Sequence, residues 1–186
     1  DKTYERVDEF YKRFHVRDTE HVINNKKIPK LSLILKKINW LNLYEGIPVR
    51  FHGDFHFENI IYEKKKSKFI FLDWRQDFGG LIKYGDIYYD LAKLLHGIII
   101  NHEIISKNQY SVKWNKKNII FKIQQRKNFK NLESLFENWC SENKFDYKKV
   151  RILTALIFLN ISPLHHYPYS LLLYALGKSM LHKALI

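Results

Sequence analysis

The sequence predicts an α+β fold, mostly helical, organised around a short β-hairpin. Three observations lead there. Apolar residues recur at helical spacing over most of the chain, as in Tyr4, Val7, Phe10, Tyr11 and Phe14. Two short apolar runs, Ile60 to Tyr62 and Phe69 to Leu72, flank a charged turn from Glu63 to Lys68. The third is bulk: 186 residues, 46% hydrophobic and 16% aromatic, suit a single domain spanning 1–186 with a sizeable packed core.

Each element can be justified in turn. Residues 3–14 read as an amphipathic helix, and the polar, Asn-rich stretch 15–28 reads as a loop. Pro29 suits the first turn of a helix whose apolar face is Leu31, Ile34, Leu35, Ile38 and Leu41. Gly46 stops that helix and Pro48 prevents its resumption. Val49 to Phe51 forms a short extended run. After the central hairpin, residues 74–84 with Gly79-Gly80 read as an irregular loop, and a helix starts at about Asp86 with Leu91, Ala92, Leu95 and Ile99 inward. A second hairpin is expected from Tyr110 to Trp114 and Ile119 to Ile123. Helices over about 128–143, 147–160 and 168–184 close the chain, with Pro163 and Pro168 marking the last break.

The chemistry concentrates in residues 51–74, FHGDFHFENIIYEKKKSKFIFLDW. Here stands His52-x-Asp54-x-x-x-x-Asn59, followed by the two apolar runs and Asp73. Two carboxylates and one carboxamide on a loop and a returning hairpin are what phosphoryl transfer requires. One carboxylate accepts the proton of an attacking hydroxyl, while the amide oxygen and the second carboxylate hold Mg²⁺ at the nucleotide phosphates. Asn supplies a hard oxygen without another full charge, which suits Mg²⁺ beside anions. The second strand, read as buried, would fix the position of Asp73. His52 is read as structural, orienting the loop by hydrogen bonding, and His56 as a loop side chain near the phosphates or substrate.

HGDFHFENIIY, then FIFLDW, then GDIYYDLAKLL, together resemble the aminoglycoside phosphotransferase and choline kinase family over about residues 51–96. That resemblance implies the C-terminal lobe of a protein-kinase-like fold and ATP- and Mg²⁺-dependent phosphorylation of a small-molecule hydroxyl. It implies Asp54 as catalytic base, Asn59 and Asp73 as metal ligands, and Asp90 as the buried aspartate that braces the catalytic loop. Asp77-Phe78-Gly79 spells a kinase metal motif, yet Asp73 is preferred because it directly follows the apolar run.

A kinase-like enzyme also needs a glycine-rich strand-turn-strand over the phosphates and a strand lysine. None of the seven glycines precedes the loop in that arrangement. The expectation is therefore a nucleotide-covering N-terminal lobe upstream in a longer protein, with little activity in this part alone. Substrate is weakly constrained: choline-like, sugar and aminoglycoside-like acceptors all stay open, with Trp74, Arg75, His165, His166 and Tyr167 as possible lining residues. His165-His166-Tyr167 reads more simply as a helix-break segment. A non-catalytic kinase-like scaffold is the competing class.

The remaining composition narrows the field. With 32 Lys and Arg against 19 Asp and Glu the formal charge is +13, which suits an anionic partner such as a nucleotide. The basic residues fall in scattered pairs without an aromatic-lined stripe, which disfavours a nucleic-acid-binding domain. His52, Asp54 and His56 lack the further ligands of a zinc site. The lone Cys140, the lack of a signal peptide and the absence of a long uncharged apolar run predict a cytoplasmic protein without a membrane span.

Overall fold

The computed structural model describes residues 2–124 and 131–186. Helix α1 (Lys2–Arg13) leads to a small hairpin, β1 (His21–Ile23) and β2 (Lys26–Ile28), and to two short helices, α2 (Leu31–Leu35) and α3 (Trp40–Tyr44). Strand β3 (Pro48–Val49) enters the central loop, and β4 (Ile60–Glu63) and β5 (Lys68–Phe71) form the central hairpin. Strand β6 (Gly85–Asp86) runs into α4 (Ile87–Ile99), then α5 (His102–Ser106) and a second hairpin, β7 (Tyr110–Asn115) and β8 (Asn118–Ile123). Helices α6 (Leu132–Glu142), α7 (Tyr147–Ile161) and α8 (Tyr169–Ala184) complete the order. The expected start of α6 at 128 lies outside the described residues.

The core lies where α7 packs against both α4 and α8. Helix α8 is apolar nearly all round, with Leu172, Leu173, Tyr174, Ala175 and Leu181 fully buried, as a central core helix must be. Gly177 lets it approach α7 closely, because a Cβ there would sit 2.9 Å from the Ala155 carbonyl. Phe10 of α1 stacks on Tyr174 at 4.4 Å between ring centres. On the other side of α7, the Thr154 hydroxyl lies within reach of the Val150 (2.8 Å) and Ala92 (3.2 Å) carbonyls, which seats α4 against it.

Two stretches differ from the sequence reading. Residues 21–28 are not loop but a hairpin turning through Asn24 and Asn25, both left-handed at φ 45° and 65°, a turn that Asn tolerates. Strand β1 then pairs in parallel with β8, Val22 opposite Asn118, and the four-stranded sheet runs β2-β1-β8-β7. The helix expected from Pro29 to Leu41 is two helices. Asp18 caps the first by accepting from Leu31 and Ser32 N–H at 2.7 and 2.9 Å, and the Asn39 side chain caps the second by accepting from Asn42 N–H.

A third difference bears on the site. The central hairpin is not packed into the core: all four residues of β5 are exposed, and Phe69 reaches 63%. Ile61, Tyr62, Ile70, Leu72 and Trp74 are exposed as well. The strands pair only with each other, Ile60 opposite Phe71 through Glu63 opposite Lys68. The apolar residues that read as a buried strand form an uncovered face instead. No helix among the described residues is long and apolar enough to cross a membrane.

Candidate active site

The loop before the central hairpin is fixed from beneath. Strand β3 pairs antiparallel with β6, Val49 opposite Gly85, so the loop starts at the base of α4. Asp90, one turn into that helix, accepts from His52 N–H through Oδ2 and from Gly53 N–H through Oδ1, both at 2.7 Å. Burial raises the Asp90 carboxyl above its ordinary range, against the pull of the two amides. Gly53 has φ +81°, and a Cβ there would overlap the Arg75 side chain at 2.7 Å, so only glycine suits this turn. The buried His52 ring accepts from Asp54 N–H at 3.3 Å and lies 4.9 Å from the Trp74 ring. Three consecutive residues are thus held by one carboxylate and one imidazole.

Asp54 stands at the tip, half-buried. Its Oδ1 is 2.7 Å from Lys93 Nζ and its Oδ2 is 3.1 Å from His56 Nε2. Burial alone would raise its pKa, but Lys93 and then His56 outweigh it and hold the carboxyl below the usual carboxylate range. Asp54 is therefore ionised and able to accept a proton. Lys93 was not singled out in the sequence; the available signal was its place three residues after Asp90, on the same face of α4. His56 also reaches Glu58 Oε2 at 2.8 Å, while Glu58 Oε1 accepts from His102 N–H at 2.8 Å at the start of α5.

Asn59 ends a 3₁₀ turn (Phe57–Asn59). Its amide donates to the Asp54 main-chain carbonyl at 3.0 Å, so the amide nitrogen, not the side-chain oxygen, holds the loop. Leu72 N–H donates to the Asn59 carbonyl at 2.9 Å, so the next residue, Asp73, leaves the hairpin beside Asn59. Asp73 is exposed, has φ 56° and makes no ion pair or hydrogen bond with the described residues. Asp77, by contrast, accepts from Gly80 N–H at 3.0 Å and closes its own turn. Among the described residues no group of three or more His, Cys, Asp or Glu forms a metal cluster. One amide oxygen and one unengaged carboxylate fit Mg²⁺, which keeps most of its shell for water and phosphate oxygens.

The possible substrate-lining residues divide between two places. Trp74 and Arg75 line a groove of about 660 Å³ with Arg50 and Lys83. His165 lines a cavity of about 290 Å³ that contains Asp54, Lys93, His96 and Tyr169. His166 and Tyr167 belong to neither and are exposed to solvent. His96 did not stand out in the sequence, where it falls within the helix that follows Asp86.

The model of the phosphotransferase enzyme family matches residues 7–108, a span that holds the whole loop, both hairpin strands and α4. No curated protein and no solved structure matches the chain.

Proposed function

The chain belongs to the phosphotransferase enzyme family, and from that premise we propose that it serves ATP- and Mg²⁺-dependent transfer of a phosphoryl group to a hydroxyl of a small molecule. The observation that carries the reading is the placement of Asp54: ionised, paired with Lys93, and set by a loop that Asp90 holds through two amides. In this reading Asp54 takes the proton of the acceptor hydroxyl as its oxygen bonds to the γ-phosphorus and the bond to the nucleoside diphosphate breaks. Lys93 keeps the base charged until the acceptor arrives. Asn59 and Asp73 would hold Mg²⁺, which supplies neutralisation of the phosphate charge. His56, between Asp54 and Glu58, lies where the phosphates approach.

We assign the chain the part of a kinase-like C-terminal lobe. The uncovered apolar face of the central hairpin supports this, because a nucleotide-covering lobe would lie there. Substitution Asp54→Asn in the full-length protein tests the function. Turnover should fall about 10²–10⁴-fold, the range for loss of a general base. Turnover equal to wild type removes Asp54 from the mechanism, and no phosphate transfer by the wild-type protein returns the chain to a scaffold role.

A further inference from the structure

We infer that the cavity beside Asp54 receives an uncharged, single-ring polyhydroxylated acceptor and discriminates against ammonium compounds. The inference rests on the phosphotransferase reading for the identity of the acceptor site, and its support is the chemistry of the cavity wall.

Charge comes first. Two carboxylates line the cavity, and both are engaged. Asp54 is paired with Lys93 and His56, and Glu58 with His56 and the His102 amide. An ammonium group approaching Asp54 would have to displace Lys93, the cation already paired with it at 2.7 Å, whose side chain is only 13% exposed. Like charges in such a half-buried setting repel strongly. Nor is there an aromatic cage for a quaternary amine. Among the described residues Tyr169 is the one aromatic ring of phenol, phenyl or indole type in the wall, and it is 2% exposed, with the His165 and Tyr110 rings packed at 4.9 and 5.7 Å.

Hydrogen-bonding capacity comes second. His96, His102 and His165 face the cavity. Burial lowers the pKa of His96 to about 3, and burial and then His166 lower that of His165, so both stay neutral at physiological pH. A neutral imidazole offers one donor and one acceptor, the same pair that each sugar hydroxyl offers in return. His96 is the telling member, since both its ring nitrogens are buried and neither has a hydrogen-bond partner among the described residues. Buried polar atoms without partners are exceptional in folded proteins and call for a ligand or water.

Size comes third. At about 290 Å³ the cavity lies at the lower edge of small-molecule sites. It suits one ring, not a chain of linked aminosugars.

The test compares matched probes by following the imidazole proton resonances of the protein. Glucose, ribose and myo-inositol are the neutral set; 2-deoxystreptamine, of the same ring type as inositol, and choline are the cationic set. The neutral set should shift the His102 and His165 signals at millimolar concentration, and the cationic set should bind about tenfold more weakly or worse. Lys93→Met frees the Asp54 charge and should narrow that gap. An ammonium probe that binds as tightly as its neutral counterpart overturns the inference, and so does a panel in which no polyol moves these signals. The kinase reading stands or falls separately on phosphate transfer: transfer to an amine acceptor but not to a polyol defeats the inference alone.

Discussion

Replacing Asp90 with alanine tests how the catalytic loop is held. Asp90 is 6% exposed and receives the His52 and Gly53 amides at 2.7 Å each. The truncation leaves two buried N–H groups without acceptors, and each such group costs about 1–3 kcal/mol. The expected loss is therefore about 2–6 kcal/mol, a large share of the roughly 5–15 kcal/mol that holds a typical domain folded. For a chain of this size that corresponds to a fall in Tm of about 4–24 °C. Urea unfolding followed by tryptophan fluorescence measures the loss, and amide hydrogen exchange locates it. The His52 and Gly53 amides should lose protection well before those of α8. A loss below about 0.5 kcal/mol, within the range of an ordinary surface substitution, would refute the reasoning. Unchanged exchange at both amides would refute it equally.

Two further perturbations probe the frame around the site. Asp18→Ala removes the cap of α2 and should cost about 0.5–2 kcal/mol in urea unfolding. Burial would raise the Asp18 pKa, but the Ser32 hydroxyl and then the amide donors of Ser32 and Leu31 outweigh it and hold the carboxyl below its ordinary value. Its stabilisation is thus present above the unfolded-state pKa and lost as pH falls through the folded one, so acid titration of the variant should show a shallower stability decline than wild type. Gly53→Ala forces a side chain into a positive-φ turn already filled by Arg75. It should lower Tm and displace the Asp54 amide resonance, whereas an unshifted spectrum would show that the turn tolerates a Cβ.

Much of this architecture is legible in the residues. Helices α4, α7 and α8 follow from apolar spacing, and α4 begins after Asp86, which accepts from Tyr88 N–H as a cap should. The central hairpin follows from two apolar runs around a lysine turn. What escaped depends on contacts distant in sequence. Strands β1 and β2 are short and polar at one end, and their place comes from pairing with β8. Lys178 is buried there against His21 Nδ1 and the Thr19 carbonyl, a polar anchor with no local signature. Lys93 meets Asp54 only because α4 folds beneath the loop. The exposure of Phe69 to Leu72 was illegible for another reason: an apolar run shows that a face seeks cover, not what covers it. His165 and Tyr167 are two residues apart, yet the break after α7 turns only the first toward Asp54.

In the proposed mechanism Asn59 and Asp73, not Asp77, hold the metal ion next to Asp54. Mn²⁺ broadens resonances of nearby nuclei and takes the oxygen sites that Mg²⁺ uses. Titration of the isotope-labelled protein with Mn²⁺-ATP should broaden the amides of Asn59, Leu72 and Asp73 first, and Asp73→Ala should abolish the effect. Broadening centred on Asp77 and Gly80, or unchanged by Asp73→Ala, would contradict the account.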